Sequence, residues 1–315
     1  MIKQAEEQER KDTCLPASYR GSTSIPCSSA HLAHHVKEHF MTKSLTFSWQ
    51  ETWKNHFNHW LAKYLLPTTY EAYEEFDWEN AIAAIHNSTL IYPEYYTVPH
   101  HGMTEGYLSN RQAFAWELIE RLFRIPHART SLLQLAIADH PASIVDLGCG
   151  TATTSIKLAQ MLSKAQLSLV DLSPHTLAAA QRQAQYASVA QRIRFIHAAA
   201  EHTGLESEKA DLVIASLLFH ELPQPVAWMI IEEIKRLLRP GGRVIFFDPI
   251  QCAFLWLWLD HAVNILLMKA MHEIYYINYM KDPLWIVCQR SGLREVERRL
   301  FTALPWIYQG VIAKK

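Results

Sequence analysis

SIVDLGCGTATTSIKLAQML, residues 143–162, decides how the second half of the chain folds. SIVDL has the short apolar, β-branched make-up of a buried strand. Gly148-Cys149-Gly150 follows as a tight turn, and TTSIKLAQML carries the apolar spacing of a helix. Glycines at such a junction let the chain turn sharply and let a ligand lie against bare backbone, facing the amides that open the helix. The chain has 315 residues and only 10 glycines, and four of these fall here and at Gly241-Gly242. A second strand, LSLVDLS, ends in Asp171, close to the 20-residue spacing at which a carboxylate reaches ribose hydroxyls in nucleotide-binding sheets.

Further short apolar runs follow at RIRFIHA, ADLVIASL and RVIFFD, separated by helical stretches at 153–164, 174–187 and 224–238. Strands alternating with helices of this length form right-handed crossovers on a parallel sheet. The tail, LREVERRLFTALPWIYQGVIAKK, holds two more strands without a helix between them. These pair as an antiparallel hairpin at one edge of the sheet. The fold class is therefore α/β, a Rossmann-like doubly wound sheet.

The glycine turn reads GCGTAT and lacks the third glycine of a dinucleotide turn. Asp146, two residues before Gly148, would repel a pyrophosphate but suits an ammonium or sulfonium. An adenosine ligand carrying such a cation is S-adenosylmethionine, with S-adenosylhomocysteine as its demethylated product.

VDLGCGTAT, LVDLS, ADLVIASLLFHELP and EEIKRLLRPGGRVIFFD together resemble the class I SAM-dependent methyltransferases, most of all the ubiquinone/menaquinone-type group that modifies small molecules. The resemblance covers roughly residues 131–315, with a smaller cue upstream in YYTVPHHGMTEGYLS. It implies a seven-stranded sheet with an antiparallel last strand. It also implies that Asp146, Gly148, Cys149 and Gly150 hold the methionine end of the cofactor and Asp171 the ribose hydroxyls. Leu172 would pack on adenine, and Ser216 and Leu217 would flank the transferring methyl. The family's acid after the third strand is replaced here by HAAAEHTGL, with Ala199 in its slot. That leaves Ala200 and Glu201, with His202, as the groups near adenine.

Methyl transfer is an in-line displacement whose rate comes largely from alignment, and a base is needed only when the acceptor must lose a proton. His220 and Glu221, just after the fourth strand, are the candidates for that chemistry. The alternative is that His220 is a structural residue at a helix start, with Glu221 merely suited to the helix dipole. The acceptor would be a small, hydrophobic or aromatic metabolite methylated at oxygen, carbon or nitrogen. A protein that binds S-adenosylmethionine without methyl transfer, pericyclase-like or regulatory, is the competing reading.

Residues 1–44 read as a weakly ordered tail, in which His31, His34, His35 and His39 share a helix face without acidic or cysteine companions. No metal site is expected there or elsewhere. Residues 45–130 read as a helical cap or lid region. Trp49, Trp53, Phe57, Trp60 and Tyr64 make an aromatic stripe at helical spacing, and the helix from 111 ends near Pro126. A helical insertion follows the fifth strand at 253–282; an active-site cover, a membrane-touching helix and plain core all fit its apolar run. Tyr275, Tyr276 and Tyr279, with His100 and Tyr107 from the upstream loop, could line an acceptor pocket, since tyrosine offers an apolar face with a polar tip.

Composition narrows the function. Lys+Arg 30 against Asp+Glu 31 gives a net charge of −1, without the basic surplus of a backbone-gripping nucleic-acid protein. HELP stands where nucleic-acid methyltransferases carry a base-flipping NPPY-type motif, so no nucleic-acid partner is expected. No apolar run is long enough to span a bilayer. The 5 cysteines form no CxxC pair and read as reduced thiols of a cytoplasmic protein. A homodimer is compatible with these features, but nothing in them fixes the oligomeric state.

Overall fold

A computed structural model of the protein describes residues 71, 73–98, 106–122, 125–251, 274–303 and 306–315, all within one compact unit. The histidine-bearing tail, the stripe from Trp49 to Tyr64, His100 and most of the 253–282 insertion lie outside the described residues.

Seven strands form one sheet: β1 (Ser143–Leu147), β2 (Gln166–Asp171), β3 (Ile193–His197), β4 (Ala210–Ser216), β5 (Leu238–Pro249), β6 (Arg294–Ala303) and β7 (Trp306–Lys314). Their order is β3-β2-β1-β4-β5-β7-β6. The first five run parallel, and β7 enters antiparallel between β5 and β6. The two tail strands do form a hairpin, but only β6 is the edge, because β7 pairs along β5 from Arg243 to Pro249.

Side chains alternate across the sheet with period two. Ile144, Leu212, Ile214, Ile245 and Phe247 join one core cluster, while Val145, Leu147, Val213, Ala215, Val244 and Phe246 join the other. Both faces are covered, so the central strands read as continuous apolar runs. The described helices are α1 (Trp78–Ile85), α2 (Asn110–Leu122), α3 (Ile125–Ile137), α4 (Thr153–Met161), α5 (Pro174–Tyr186), α6 (Gln224–Leu237), α7 (Tyr276–Lys281) and α8 (Leu284–Arg290). Leu132 and Ala136 of α3, Leu158 and Ala159 of α4 and Ala180 and Ala184 of α5 cover the first face. Ile230, Ile231 and Ile234 of α6 and Leu284 and Val287 of α8 cover the second.

Helix α2 ends at Leu122, and Pro126 falls in the first turn of a further helix, α3. A proline in the first turn costs nothing, because the amide it lacks would have had no helical partner. The start of α5 follows similar logic: Ser173 accepts from the Thr176 amide at 3.2 Å and Pro174 is the first helical residue.

Helices α1 and α2 dock on α5. Arg182 of α5 donates to Glu117 of α2 at 2.9 Å, with both side chains buried. The same guanidinium lies 5.0 Å from the Phe76 ring centroid and 5.7 Å from that of Trp78. This joint holds α2 over the carboxyl ends of β1 and β2. Among the described residues no helix is long and apolar enough to cross a membrane.

Candidate functional site

Strands β1, β2 and β4 end at a common edge, where ligands of open α/β sheets bind. The turn after β1 has Gly148 at φ +64 and Gly150 at φ +53, a left-handed conformation that side chains strain. The Cys149 amide donates to the Val170 carbonyl at 3.1 Å, and the Gly150 amide donates to Asp171 Oδ2 at 2.8 Å. Asp171 thus ties the glycine turn to the end of β2. Its other oxygen accepts from the Ser173 amide at 2.8 Å and from Thr176 Oγ1 at 3.1 Å. Burial pushes the Asp171 carboxyl above its usual range, while these donors pull it down.

A cavity opens over this edge, with an empty volume of about 910 Å³ when the solvent at its mouth is included. Gly148, Cys149, Gly150, Asp171, Leu172, Ala200, Ser216, Leu217, Glu221 and Tyr107 line it, so ten of the residues singled out from the sequence meet at one place. Burial pushes the Cys149 thiol well above its ordinary value, with Asp171 and Asp146 adding to the shift. Leu217, at φ +57, makes the turn after β4, and its amide donates to the Phe247 carbonyl at 2.6 Å.

Other candidates sit elsewhere. Asp146 lies beneath the glycine turn, 2% exposed, accepting from Ser155 Oγ at 2.6 Å. Glu201 accepts from the Tyr95 hydroxyl at 2.9 Å and does not line the cavity. His220 is buried behind Glu221, with Nδ1 2.7 Å from Asp248 Oδ1. Tyr276 and Tyr279 are core residues: the Tyr279 hydroxyl donates to the Pro249 carbonyl at 2.6 Å and accepts from Gln309 at 2.9 Å. Tyr275 is half-buried and away from the cavity lining.

The roof comes from the N-terminal segment. The Tyr107 hydroxyl donates to Glu221, and its carbonyl accepts from Ser173 Oγ at 2.7 Å. Its ring stacks on Tyr96 at 5.8 Å, and Tyr96 stacks on Tyr92 at 6.1 Å. Tyr95, Tyr96, Gln112, Trp116 and Arg129 also line the cavity, and none of them was singled out from the sequence. Gln112 and Trp116 stand four apart on one face of α2, a spacing that could have paired them. Nothing in the sequence marks Arg129.

Behind Leu172, His197 accepts from the Asn87 amide at Nδ1 (2.9 Å), so Nε2 carries the proton that goes to the Leu172 carbonyl at 2.9 Å. Burial lowers the pKa of His197, which keeps it neutral. After β3, Thr203 donates to Glu233 through its amide at 3.1 Å and its hydroxyl at 2.5 Å. These bonds hold the loop that presents Ala200. Among the described residues no cluster of three or more histidine, cysteine or acidic side chains is placed to hold a metal.

A sheet of this order, with a glycine turn after β1 and a carboxylate closing β2, defines the class I SAM-dependent methyltransferase fold. Residues 144–242 match the family model described as a methyltransferase domain. Ribosomal RNA large subunit methyltransferase G of Shewanella amazonensis is 32% identical over 154 residues, covering 48% of this chain and 38% of that protein. Malonyl-[acyl-carrier protein] O-methyltransferase of Hahella chejuensis is 36% identical over 117 residues, 36% of this chain and 39% of its own length. The chain thus spans about two fifths of the length of these two relatives. An O-methyltransferase family protein from Burkholderia thailandensis shares the fold at a TM-score of 0.55 and 16% identity, over 82% of this chain and 71% of that one. The chain carries a class I SAM-dependent methyltransferase domain.

Proposed function

We propose that the cavity holds S-adenosylmethionine and that the protein transfers its methyl group to a small, hydrophobic or aromatic acceptor. The observation that carries this reading is the convergence of bare glycine backbone, the Asp171 carboxylate and an aromatic roof on one cavity at the carboxyl edge of the sheet. The lining fits the cofactor. Asp171 has lone pairs left for ribose hydroxyls after its three donors are counted. Leu172, Leu222 and Ile230 give apolar walls for adenine, with Ala200 beside them. Toward the glycine turn, Gln112 and Arg129 supply an amide and a cation for the amino-acid end. Gln112 is 2% exposed and its Oε1 has no hydrogen-bond partner among the described residues, which suits an incoming ammonium. Asp146 places a carboxylate behind the same turn.

The cofactor supplies an activated methyl group on a sulfonium. The chain's own residues align the acceptor against it, keep water out with Tyr95, Tyr96 and Tyr107, and present Glu221 to the acceptor. Ser216 Oγ, buried and without a partner among the described residues, stands at the end of β4 where the acceptor would meet the methyl.

The test is calorimetry with S-adenosylhomocysteine, followed by incubation with methyl-labelled S-adenosylmethionine and either a small-molecule extract or total RNA. Micromolar binding with label entering the small-molecule fraction is the expected result. Label entering RNA would replace the small-molecule acceptor, and binding without transfer would favour the non-catalytic reading. Gly148→Val provides a sharper check on the cavity. A Cβ there would lie 2.8 Å from Leu218 Cδ1 on a backbone at φ +64. Strain of this kind costs on the order of 1–3 kcal/mol, and a turn that shifts to relieve it should lower affinity for S-adenosylhomocysteine by about fivefold or more. Unchanged affinity would move the cofactor elsewhere.

A further inference from the structure

Behind Glu221 the polar groups form a file running from the sheet to the cavity. Asp248, near the end of β5, is 0% exposed. Its Oδ1 lies 2.7 Å from His220 Nδ1 and 3.4 Å from the His220 amide. His220 Nε2 lies 3.5 Å from Glu221 Oε1, and the second oxygen of Glu221 accepts from the Tyr107 hydroxyl. Glu221 and Tyr107 line the cavity, while His220 and Asp248 do not.

The proton count in this file is constrained. Burial pushes the Asp248 carboxyl up, while its bonds to His220 and the Phe219 amide pull it down. With Asp248 ionised it offers only lone pairs, and the 2.7 Å contact then puts a proton on Nδ1. Nε2 is then the ring atom that gains or loses a proton, and Glu221 is beside it. Buried carboxylates are costly unless paired, and a His between two of them is held where it can take a charge. Among the described residues, groups facing His220 include Asp248 from β5, Glu221 from its own turn, and Tyr279 from α7, whose ring packs edge-on at 6.3 Å. The Tyr279 hydroxyl is already committed to Pro249 and Gln309, so it takes no part.

We infer that Asp248 is a positioning residue that fixes His220 with Nε2 toward Glu221, making Glu221 the base for an acceptor whose nucleophilic oxygen carries a proton. The acceptor class we assign is a hydroxyl compound; a carbon acceptor also sheds a proton and is separated from it by the label test below. A neutral amine or thioether already offers a lone pair and would need no such file. The inference rests on the methyl-transfer reading above. The new oxygen–carbon bond forms as the carbon–sulfur bond breaks, and the sulfonium becomes a neutral thioether. The hydroxyl proton passes to the Glu221 carboxylate and from there to His220 Nε2, leaving an imidazolium paired with Asp248.

The first part of the test needs no acceptor. Long-range proton–nitrogen correlation spectra of the full chain, with the His220 signals assigned by their loss in His220→Gln, report which ring nitrogen carries the proton and at what pH the ring titrates. The expected wild-type result is Nδ1 protonated throughout and Nε2 titrating. Nε2 protonated with a bare Nδ1 would overturn the inference without recourse to any variant. In Asp248→Asn the imidazolium loses its counter-charge, so the His220 titration should move down by at least about one pH unit. Affinity for S-adenosylhomocysteine should stay within about threefold, because Asp248 does not reach the cavity. An unshifted titration in that variant would also overturn it. Failure of the wild-type protein to bind S-adenosylhomocysteine would instead strike the methyl-transfer reading. Labelled product should release methyl iodide on ether cleavage with hydriodic acid, and label retained on carbon would exclude the hydroxyl acceptor.

Discussion

Asp171→Ala is expected to weaken S-adenosylhomocysteine binding by roughly 100-fold or more, since hydrogen bonds to a charged group contribute about 1.5–3 kcal/mol each. Two losses combine. Ribose hydroxyls would lose their carboxylate, and the glycine turn would lose the bond from the Gly150 amide that fastens it to β2. Ser173 and Thr176 would also lose their acceptor at the start of α5. The experiment is a calorimetric titration of the variant beside wild type, with circular dichroism to establish that both are folded. Asp171→Asn separates the contributions, because its amide oxygen can still accept from the Gly150 amide while the charge is gone. A loss below about tenfold in the alanine variant would mean that Asp171 only braces the turn.

Glu117→Ala is expected to cost about 3 kcal/mol or more of stability, the usual consequence of leaving one member of a buried ion pair alone. Arg182 would keep its place over Phe76 and Trp78, and the aromatic faces would compensate only in part. The measurement is chemical denaturation of wild type, Glu117→Ala and the double variant Glu117→Ala/Arg182→Met. The double variant should recover much of the loss, because it removes the buried cation as well. A single-variant cost under about 1 kcal/mol would place the pair among surface bridges that contribute little. Because α2 also carries Gln112 and Trp116 to the cavity, a loosened joint should weaken S-adenosylhomocysteine binding as well.

The sheet was legible because its central strands are buried on both faces, which leaves runs such as LVIA with no polar interruption. The cavity edge where we propose the cofactor was legible for a different reason: few residue types tolerate the backbone at Gly148 and Gly150, and few positions put a carboxylate where Asp171 stands. Helix α3 was not read, because Pro126 stops a helix or opens one with equal ease and the sequence does not say which. The roof was only half legible. Its aromatic richness was plain, but Tyr107 faces the cavity while Tyr276 and Tyr279 face the core, and that depends on how α7 packs under the turn at 219–221. Asp248 was visible as a strand end, yet its partner lies 28 residues upstream, and only the sheet brings them together. Gln112 and Arg129 owe their place to helix docking, which no local pattern records.

The bond from Tyr107 to Glu221 places an internal occupant on the carboxylate that faces the cavity. A hydroxyl arriving from the cavity must share that oxygen or evict the tyrosine. On the proposed reading, recognition would be an exchange of the tyrosine hydroxyl for the acceptor's, with little net change in the number of hydrogen bonds. Shape and stacking against Tyr95 and Tyr96, more than the strength of the new bond, are left to decide which compounds can make the exchange.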